Sequence, residues 1–327
     1  MKKNMPTMKD IAREAGVALG TVSKVINGQP VGESYRLRVE EAVKKLGYQV
    51  NQYARGLRMN KTFTVALILP NVSNPYFASL AQHISQALAQ RQYRTLLYLT
   101  GSQPEAEQAC IHMVRQNKVD GIIGLTYNPQ LEVDEDLPFV SIDRCFKPGI
   151  PCVSSDNYSG GMLAAEKLLE LGCKSLGFMR TGSVQPGEVD KRGDGFEALC
   201  RSRGVQYDEL RVNDGTPPAV FRAFLEKHNT HGGFDLDGIF CCTDWLAWQT
   251  QEMLRDMGIA VPEDVQIIGF DGIRHFGDGG YYCSTIVQPV RQIVETCVSL
   301  LLDKSESMQP SLTCLPVRYV PGGTTRE

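Results

Sequence analysis

From Val65 onward, short apolar runs alternate with amphipathic stretches, and this alternation constrains the fold more than any other feature of the sequence. The runs lie near 65–70 (VALILP), 95–100, 121–126, 139–143, 176–180, 238–243 and 265–271. They are apolar through their length rather than at every second position, so each must be covered on both faces. Helical periodicity fills 76–91, 105–117, 158–171, 191–203, 219–228, 245–257 and 290–302. Strands buried on both sides and separated by helices predict βαβ units around parallel sheets. The element count exceeds what one sheet carries comfortably, so two doubly wound lobes are expected. In such sheets ligands sit beyond the carboxyl ends of the strands, which between two lobes means the cleft.

The first 61 residues obey a different pattern. Thr7 can cap a helix, with Asp10 in the position of a capping-box acid. Ile11, Ala12 and Ala15 form its apolar stripe, and Gly16 ends it. Val22, Val25 and Ile26 make the buried stripe of a second helix that starts after Ala18, where a capping side chain would be preferred. Asn27-Gly28 stops that helix. A third helix spans about 34–46, with Leu37, Val39, Ala42, Val43 and Leu46 as its apolar positions and Gly47 at its end. Residues 49–62, QVNQYARGLRMNKT, are polar and basic, with Gly56 weakening any isolated helix by about 1 kcal/mol relative to Ala.

Charge separates the two regions. The chain carries 34 Lys and Arg against 37 Asp and Glu, a net of -3. Residues 1–61 hold twelve of the basic residues and five of the acids, a net of +7 that leaves -10 on the remainder. A basic, folded helical module on an acidic body predicts anion binding by that module. Helix, Gly-containing turn, helix inside a three-helix unit is the helix-turn-helix pattern. With Val22, Val25 and Ile26 turned inward, Leu19, Gly20, Ser23, Lys24 and Asn27 face outward, small and polar enough to enter a major groove. A small helical protein-docking domain is the competing reading.

Ten cysteines are present, none in the first 109 residues and none in a CxxC pair. The opening MKKNMPTMKD leads into no apolar segment, and no apolar run approaches a membrane span. The expectation is a cytoplasmic chain with free thiols. The five histidines show no metal-ligand spacing, and neither a nucleophile elbow nor a P-loop occurs. An enzyme, a metal site and a cofactor are not expected.

The run MKDIAREAGVALGTVSKVING, then RLRVEEAVKKLGYQVN and ARGL, resembles the N-terminus of the lactose-repressor (LacI/GalR) family of bacterial transcription regulators. The likeness continues through NPYF (74–77), VDGIIG (119–124), SIDR (141–144), SDNYSGG (155–161), RGDGF (192–196), TD (243–244), VPEDVQIIGFD (261–271) and STIVQP (284–289). It implies a helix-turn-helix head at 1–49, a hinge at 50–62 and a two-lobed effector-binding body of periplasmic-binding-protein type at 63–327. Lobe one would take about 63–158 and 289–315, lobe two about 159–288 and 316–327. It also implies a homodimer on a palindromic double-stranded DNA operator, most simply a repressor, switched by a small effector.

By the same resemblance, Leu19, Gly20 and Lys24 would read bases, while Thr21, Ser23 and Asn27 would support them or touch phosphates. Leu57 would be the apolar wedge that enters the minor groove, flanked by Ala54 and Arg55. In the body, Arg192, Asp271, Phe77 and Tyr76 match effector-contacting positions. Asn74, Asp143, Thr243 and Trp245 join them. A carboxylate, an arginine and aromatic faces at strand ends suit a polyhydroxylated, sugar-like ligand. Two plainer roles compete: a lobe-bridging Arg192–Asp271 ion pair, and Tyr76 as core packing. Trp248, three residues beyond Trp245, is expected in the core. A solute-binding protein with an accessory helical domain, or a regulator answering to a purine-like corepressor, are the rival functions. The chain departs from the family at Ala18 (usually Ser), Val50 (usually Pro), Cys173 (usually His) and in its last ten residues, RYVPGGTTRE.

Overall fold

A computed structural model describes residues 6–26, 28–48, 61–126, 128, 130–134, 136–183, 187–275, 279–303 and 311–327. The chain divides into two compact units, residues 1–62 and 63–327.

In the first unit, α1 (Met8–Ala15), α2 (Leu19–Ile26) and α3 (Glu33–Leu46) enclose a small core of Ile11, Ala15, Val22, Val39 and Ala42. The Asp10 carboxylate accepts from the Thr7 backbone N–H at 2.9 Å and from its hydroxyl at 2.7 Å, which ties the start of α1. Gly16 closes α1 in the left-handed region at φ 60°, and its position and that of Val17 return hydrogen bonds to Arg13 and Ala12. That left-handed turn is where Gly costs least. Leu37 does not join the core: it is 55% exposed. The stripe of α3 runs instead through Val39 and Ala42, with Val43 and Leu46 packed beside them. Three short helices leave room for one buried ridge on each, and Leu37 lies off that ridge.

The second unit holds two six-stranded sheets. The first contains β1 (Thr64–Leu69), β2 (Arg94–Leu99), β3 (Gly121–Gly124), β4 (Phe139–Ile142), β5 (Cys152–Ser155) and β13 (Leu312–Leu315), in the order β13-β5-β4-β3-β1-β2. All its neighbours pair in parallel. The second contains β6 (Ser175–Gly182), β7 (Gln206–Asn213), β10 (Gly238–Cys241), β11 (Gln266–Asp271), β12 (Ser284–Val287) and β14 (Arg318–Val320), in the order β14-β12-β11-β10-β6-β7. Here β14 joins as an antiparallel edge, so this sheet is mixed rather than purely parallel. A two-residue ladder of β8 (Asn229–Thr230) and β9 (Gly233–Phe234) stands apart.

Helices α4 (Pro75–Gln90), α5 (Pro104–Gln116) and α10 (Val290–Leu302) cover the first sheet. Helices α6 (Asn157–Glu170), α7 (Lys191–Arg203), α8 (Pro218–Lys227) and α9 (Asp244–Asp256) cover the second. The chain passes between the lobes at β5–α6, β12–α10 and β13–β14. Each lobe has its own apolar core, the second built on Phe178, Phe196, Phe240 and Phe270. The strand order reverses beside β1 in one sheet and beside β6 in the other, and the carboxyl ends of both strands face a common cavity.

Trp248 is 42% exposed, contrary to its expected place in the core. Helix α9 buries Leu246, Ala247, Thr250 and Leu254, which puts Trp245 and Trp248 together on its outer face. Their rings lie 5.2 Å apart at 35°.

Candidate functional site

Within the first unit, α2 presents Leu19, Gly20 and Lys24 on its exposed side, while Thr21 and Ser23 are half-buried. Among the described residues, a Cβ at Gly20 would meet no atom within 4 Å, so none of them blocks close approach there. The Ala18 carbonyl accepts from the Thr21 and Val22 N–H groups at 2.9 and 3.2 Å and begins the helix. Its methyl side chain caps nothing, which leaves the first-turn N–H groups without a side-chain acceptor from that position. Exposed Arg13, Lys24, Arg36, Arg38, Lys44 and Lys45 surround this helix and its neighbours. Asn27, Ala54, Arg55 and Leu57 lie outside the described residues, as does Val50.

In the second unit a cavity of about 740 Å³ opens between the two sheets. All eight effector candidates line it: Asn74, Tyr76, Phe77, Asp143, Arg192, Thr243, Trp245 and Asp271. Two of them serve chiefly as helix caps. Asn74 caps α4, accepting from the Tyr76 N–H at 3.0 Å, and Thr243 caps α9, accepting from the Leu246 N–H at 3.1 Å. Residues at both helix starts line the cavity.

Arg192 is the most tightly fixed group. It is 2% exposed, its Nε donates to Asn157 Oδ1 at 2.7 Å, and its Nη1 donates to the Cys242 carbonyl at 2.6 Å. Nη1 also lies 3.5 Å from Asp271 Oδ1, and the guanidinium covers the Phe270 ring at 3.7 Å. Arg192 on α7 and Asp271 on β11 both belong to the second lobe, so the ion pair exists but does not bridge the lobes. Two glycines make this placement possible. A Cβ on Gly161 of α6 would strike the Arg192 carbonyl, and one on Gly195 of α7 would strike the Tyr158 carbonyl. The helices therefore pack backbone to backbone, which delivers Arg192 to the cavity wall.

Gln288, which lies in the STIVQP run without standing out as a site residue, links the two lobes, beside Asn157 of α6, whose Nδ2 donates to Ser154 Oγ and the Ser155 carbonyl at 3.0 Å each. Its Nε2 donates to Asp271 Oδ1 at 2.7 Å. Its Oε1 accepts from Tyr76 Oη at 3.0 Å and from Ser155 Oγ at 2.7 Å. Tyr76 and Ser155 belong to the first lobe and Asp271 to the second. Tyr76 packs in the first-lobe core, the plainer of its two expected roles, and it also lines the cavity.

Burial dominates the electrostatics of this floor. Desolvation pushes the Asp271 carboxyl well above the ordinary carboxylate range despite the Arg192 charge beside it. Asp143, with φ 55° and accepting from Ser154 Oγ at 2.7 Å, is raised for the same reason and partly restrained by Arg192. Desolvation likewise lifts Tyr76 far above an ordinary phenol. Asp244, buried at the start of α9, is also raised by desolvation. It anchors the loop after β11 through Ile273 N–H at 2.6 Å and Thr285 Oγ1 at 2.6 Å. A raised carboxyl such as Asp271 can donate as well as accept once it holds a proton, which suits a ligand rich in hydroxyls. No cluster of three metal-ligating side chains occurs among the described residues.

Two family models match. Residues 7–51 match "Bacterial regulatory proteins, lacI family" and residues 62–299 match "Periplasmic binding proteins and sugar binding domain of LacI family". The chain belongs to the LacI family. It is 31% identical to the sucrose operon repressor of Pediococcus pentosaceus, over 98% of this chain and 99% of that one. It is also 31% identical to the ribose operon repressor of Bacillus subtilis, over 99% of each. Among solved structures, the lac repressor dimer bound to operator and the anti-inducer ONPF superposes with a TM-score of 0.76 at 20% identity, over 98% of this chain and 99% of that one. The CelR–cellobiose complex superposes with a TM-score of 0.65 at 24% identity, with the same coverage. This LacI-family chain is therefore a transcriptional repressor with a helix-turn-helix DNA-binding head and a sugar-binding type of body, not an enzyme. No helix among its described residues is long and apolar enough to cross a membrane.

The cavity also gathers Arg144, Arg180, Asp190 and Gln249, which the sequence motifs do not single out as site residues. Arg144 stood in the quoted SIDR run. Arg180 at the end of a strand run, Asp190 next to the RGDGF helix and Gln249 four residues after Trp245 carried a positional signal only.

Proposed function

We propose that the chain binds a palindromic operator as a cytoplasmic homodimer and that a sugar or sugar derivative in the inter-lobe cavity controls this binding. The carrying observation is the cavity floor. Arg192, Asp271 and Asp143 converge there from different elements beside Tyr76 and Phe77, with Gln288 joining the two lobes. A sugar ring would exchange hydroxyl hydrogen bonds with the three polar groups and lay its C–H face on an aromatic ring. Because Gln288 touches both lobes and Asp271, occupancy of the floor acts on the lobe arrangement, and DNA affinity changes by linkage.

In the head, Leu19, Gly20 and Lys24 would read bases and Thr21, Ser23 and Asn27 would support them. Residues 1–49 form this reading unit and 50–62 a hinge in which Leu57, between Ala54, Arg55 and their neighbours, enters the minor groove. Residues 63–327 form the effector-binding and dimerisation body, in two lobes divided near 158, 289 and 315. Support for the dimer comes from β2, an edge strand with Leu97 and Leu99 exposed, where an unpaired sheet edge and apolar side chains invite a second copy.

Binding of the full chain to operator and random duplex DNA as a function of salt tests the first half. Several phosphate contacts predict a logarithmic slope of about -0.9 per contact, and a flat response would overturn it. Titration of sugars into the protein–DNA complex tests the second half. Arg192→Ala should abolish the response while DNA affinity persists; a purine base acting where no sugar does would favour a corepressor instead.

A further inference from the structure

The cavity walls specify more than a sugar-like floor. Four acids, Asp143, Asp190, Asp214 and Asp271, line the cavity against three arginines, Arg144, Arg180 and Arg192. Two of these guanidinium groups are committed to the protein itself. Arg180 pairs with Asp190 and donates to the Ser183 carbonyl at 3.0 Å and the Val212 carbonyl at 3.2 Å. Arg192 is held by Asn157, the Cys242 carbonyl and Asp271. Even with Asp271 protonated, positive charge does not exceed negative charge in the lining. A phosphate or carboxylate brought here would lose its hydration without finding an uncommitted excess of cations, and Asp143 would repel it at short range. The occupant is therefore uncharged.

Its length follows from the exposure of the walls. Arg192 and Asp271 at the floor are nearly inaccessible, at 2% and 5%, whereas Trp245 of the same lining is 45% exposed. Trp245 is an outer wall rather than part of the floor. Its indole is backed by Trp248 at 5.2 Å, so its other surroundings are set and a broad apolar face stays wet. Gln249, one helical turn on, places an amide on the same cavity-lining side of α9. Asn213, Asp214 and Thr216 stand at the end of β7 in the same lining. An aromatic face with an amide one helical turn away, in a lining that also holds polar groups, can serve as a second sugar platform, and the cavity of about 740 Å³ is well beyond the lower part of the usual range for small-molecule sites, about 300–1,000 Å³. One ring seated on Asp271 and Arg192 would leave this outer wall uncovered.

We propose that the effector is an uncharged disaccharide or comparable glycoside, with one ring on the Asp271–Arg192 floor and the second ring stacked on Trp245 beside Gln249. This rests on the carbohydrate-effector reading above and narrows it to two-ring, unphosphorylated ligands.

The test is calorimetric titration of the full chain with sucrose, maltose, cellobiose and lactose, beside glucose, fructose, galactose, ribose and glucose 6-phosphate. At least one disaccharide should bind about tenfold or more tightly than either of its constituents and than glucose 6-phosphate, a difference of about 1.4 kcal/mol. Trp245→Ala should remove that advantage while changing monosaccharide affinity less than about twofold. The chain has two tryptophans, so Trp248→Phe leaves Trp245 as the reporter. Its fluorescence should shift with the disaccharide and stay unchanged with the monosaccharides. Tightest binding by a monosaccharide or by the sugar phosphate would overturn the inference and leave the carbohydrate reading standing, as would a Trp245→Ala variant with its disaccharide preference intact. No heat with any of these sugars would overturn both.

Discussion

Replacing Gln288 by Leu removes one polar link between the lobes at nearly constant volume. Three partners lose a hydrogen bond: Asp271 Oδ1, Tyr76 Oη and Ser155 Oγ, formerly at 2.7, 3.0 and 2.7 Å. All three residues are buried, so water does not simply replace Gln288. A buried group left unsatisfied costs about 1–3 kcal/mol. Ser154 and Ser155 lie side by side at the edge of this network and a hydroxyl can rotate, so the smaller figure applies to Ser155 and Tyr76. The expected loss is about 3–5 kcal/mol, in the range of single substitutions that break a buried network. For a body of this size that lowers Tm by roughly 10 °C. Differential scanning calorimetry of the full chain, followed in urea, measures it. The link also predicts coupling: Gln288→Leu and Tyr76→Phe should be non-additive by about 0.5–3 kcal/mol, since Tyr76→Phe removes a hydroxyl that has already lost its partner. A Tm within 2 °C of the parent, or strict additivity of the pair, would refute the argument that Gln288 joins the lobes.

Three further outcomes follow from the same geometry. Gly161→Ala pushes a methyl group into the Arg192 carbonyl where α6 and α7 touch; it should cost at least about 1–3 kcal/mol in urea denaturation and weaken effector binding, and a neutral result would mean the two helices can separate freely. Burial raises the Asp271 carboxyl, so the folded chain retains a proton that the unfolded chain releases at the ordinary value of 3.8. Stability therefore falls as pH climbs from that value toward the raised one, and Asp271→Asn should flatten this part of the stability–pH curve; an unchanged slope would assign the dependence to other groups. Ala18→Ser supplies the missing cap of α2 and should stabilise the free head by roughly 1 kcal/mol, but the DNA complex by less, because a phosphate can accept from the same N–H groups. Equal gains in both states, read by thermal melts with and without operator, would separate the cap from phosphate binding.

How much of this could be read in the sequence depends on whether the signal is local. The strands near 65–70, 121–126 and 265–271 announced themselves because each is buried on both faces and so must be apolar throughout. β7 did not, since it is an edge strand that alternates polar and apolar residues, QYDELRVN. β5 (CVSS) and β12 (STIV) are too short and too rich in Ser, Cys and Thr for a hydrophobic run to stand out, although both are central in their sheets. β14 joins antiparallel after a crossing between lobes, which no local pattern encodes.

The sequence by itself determined the helical basic head, the α/β alternation, the absence of a recognisable catalytic constellation in its motifs, and, through the family likeness, eight of the residues that line the cavity. Each of these depends on periodicity, charge or a motif contained in a short stretch. Tertiary structure alone decided who touches whom. It turned Leu37 and Trp248 outward, because the space available to α3 and α9 admits one buried stripe each. It kept the Arg192–Asp271 pair within one lobe and gave a bridging role to Gln288, whose partners lie 17, 133 and 212 residues away along the chain. A hydrogen bond is made across a few ångströms whatever the intervening length of chain, so only the folded arrangement of both lobes could assign it.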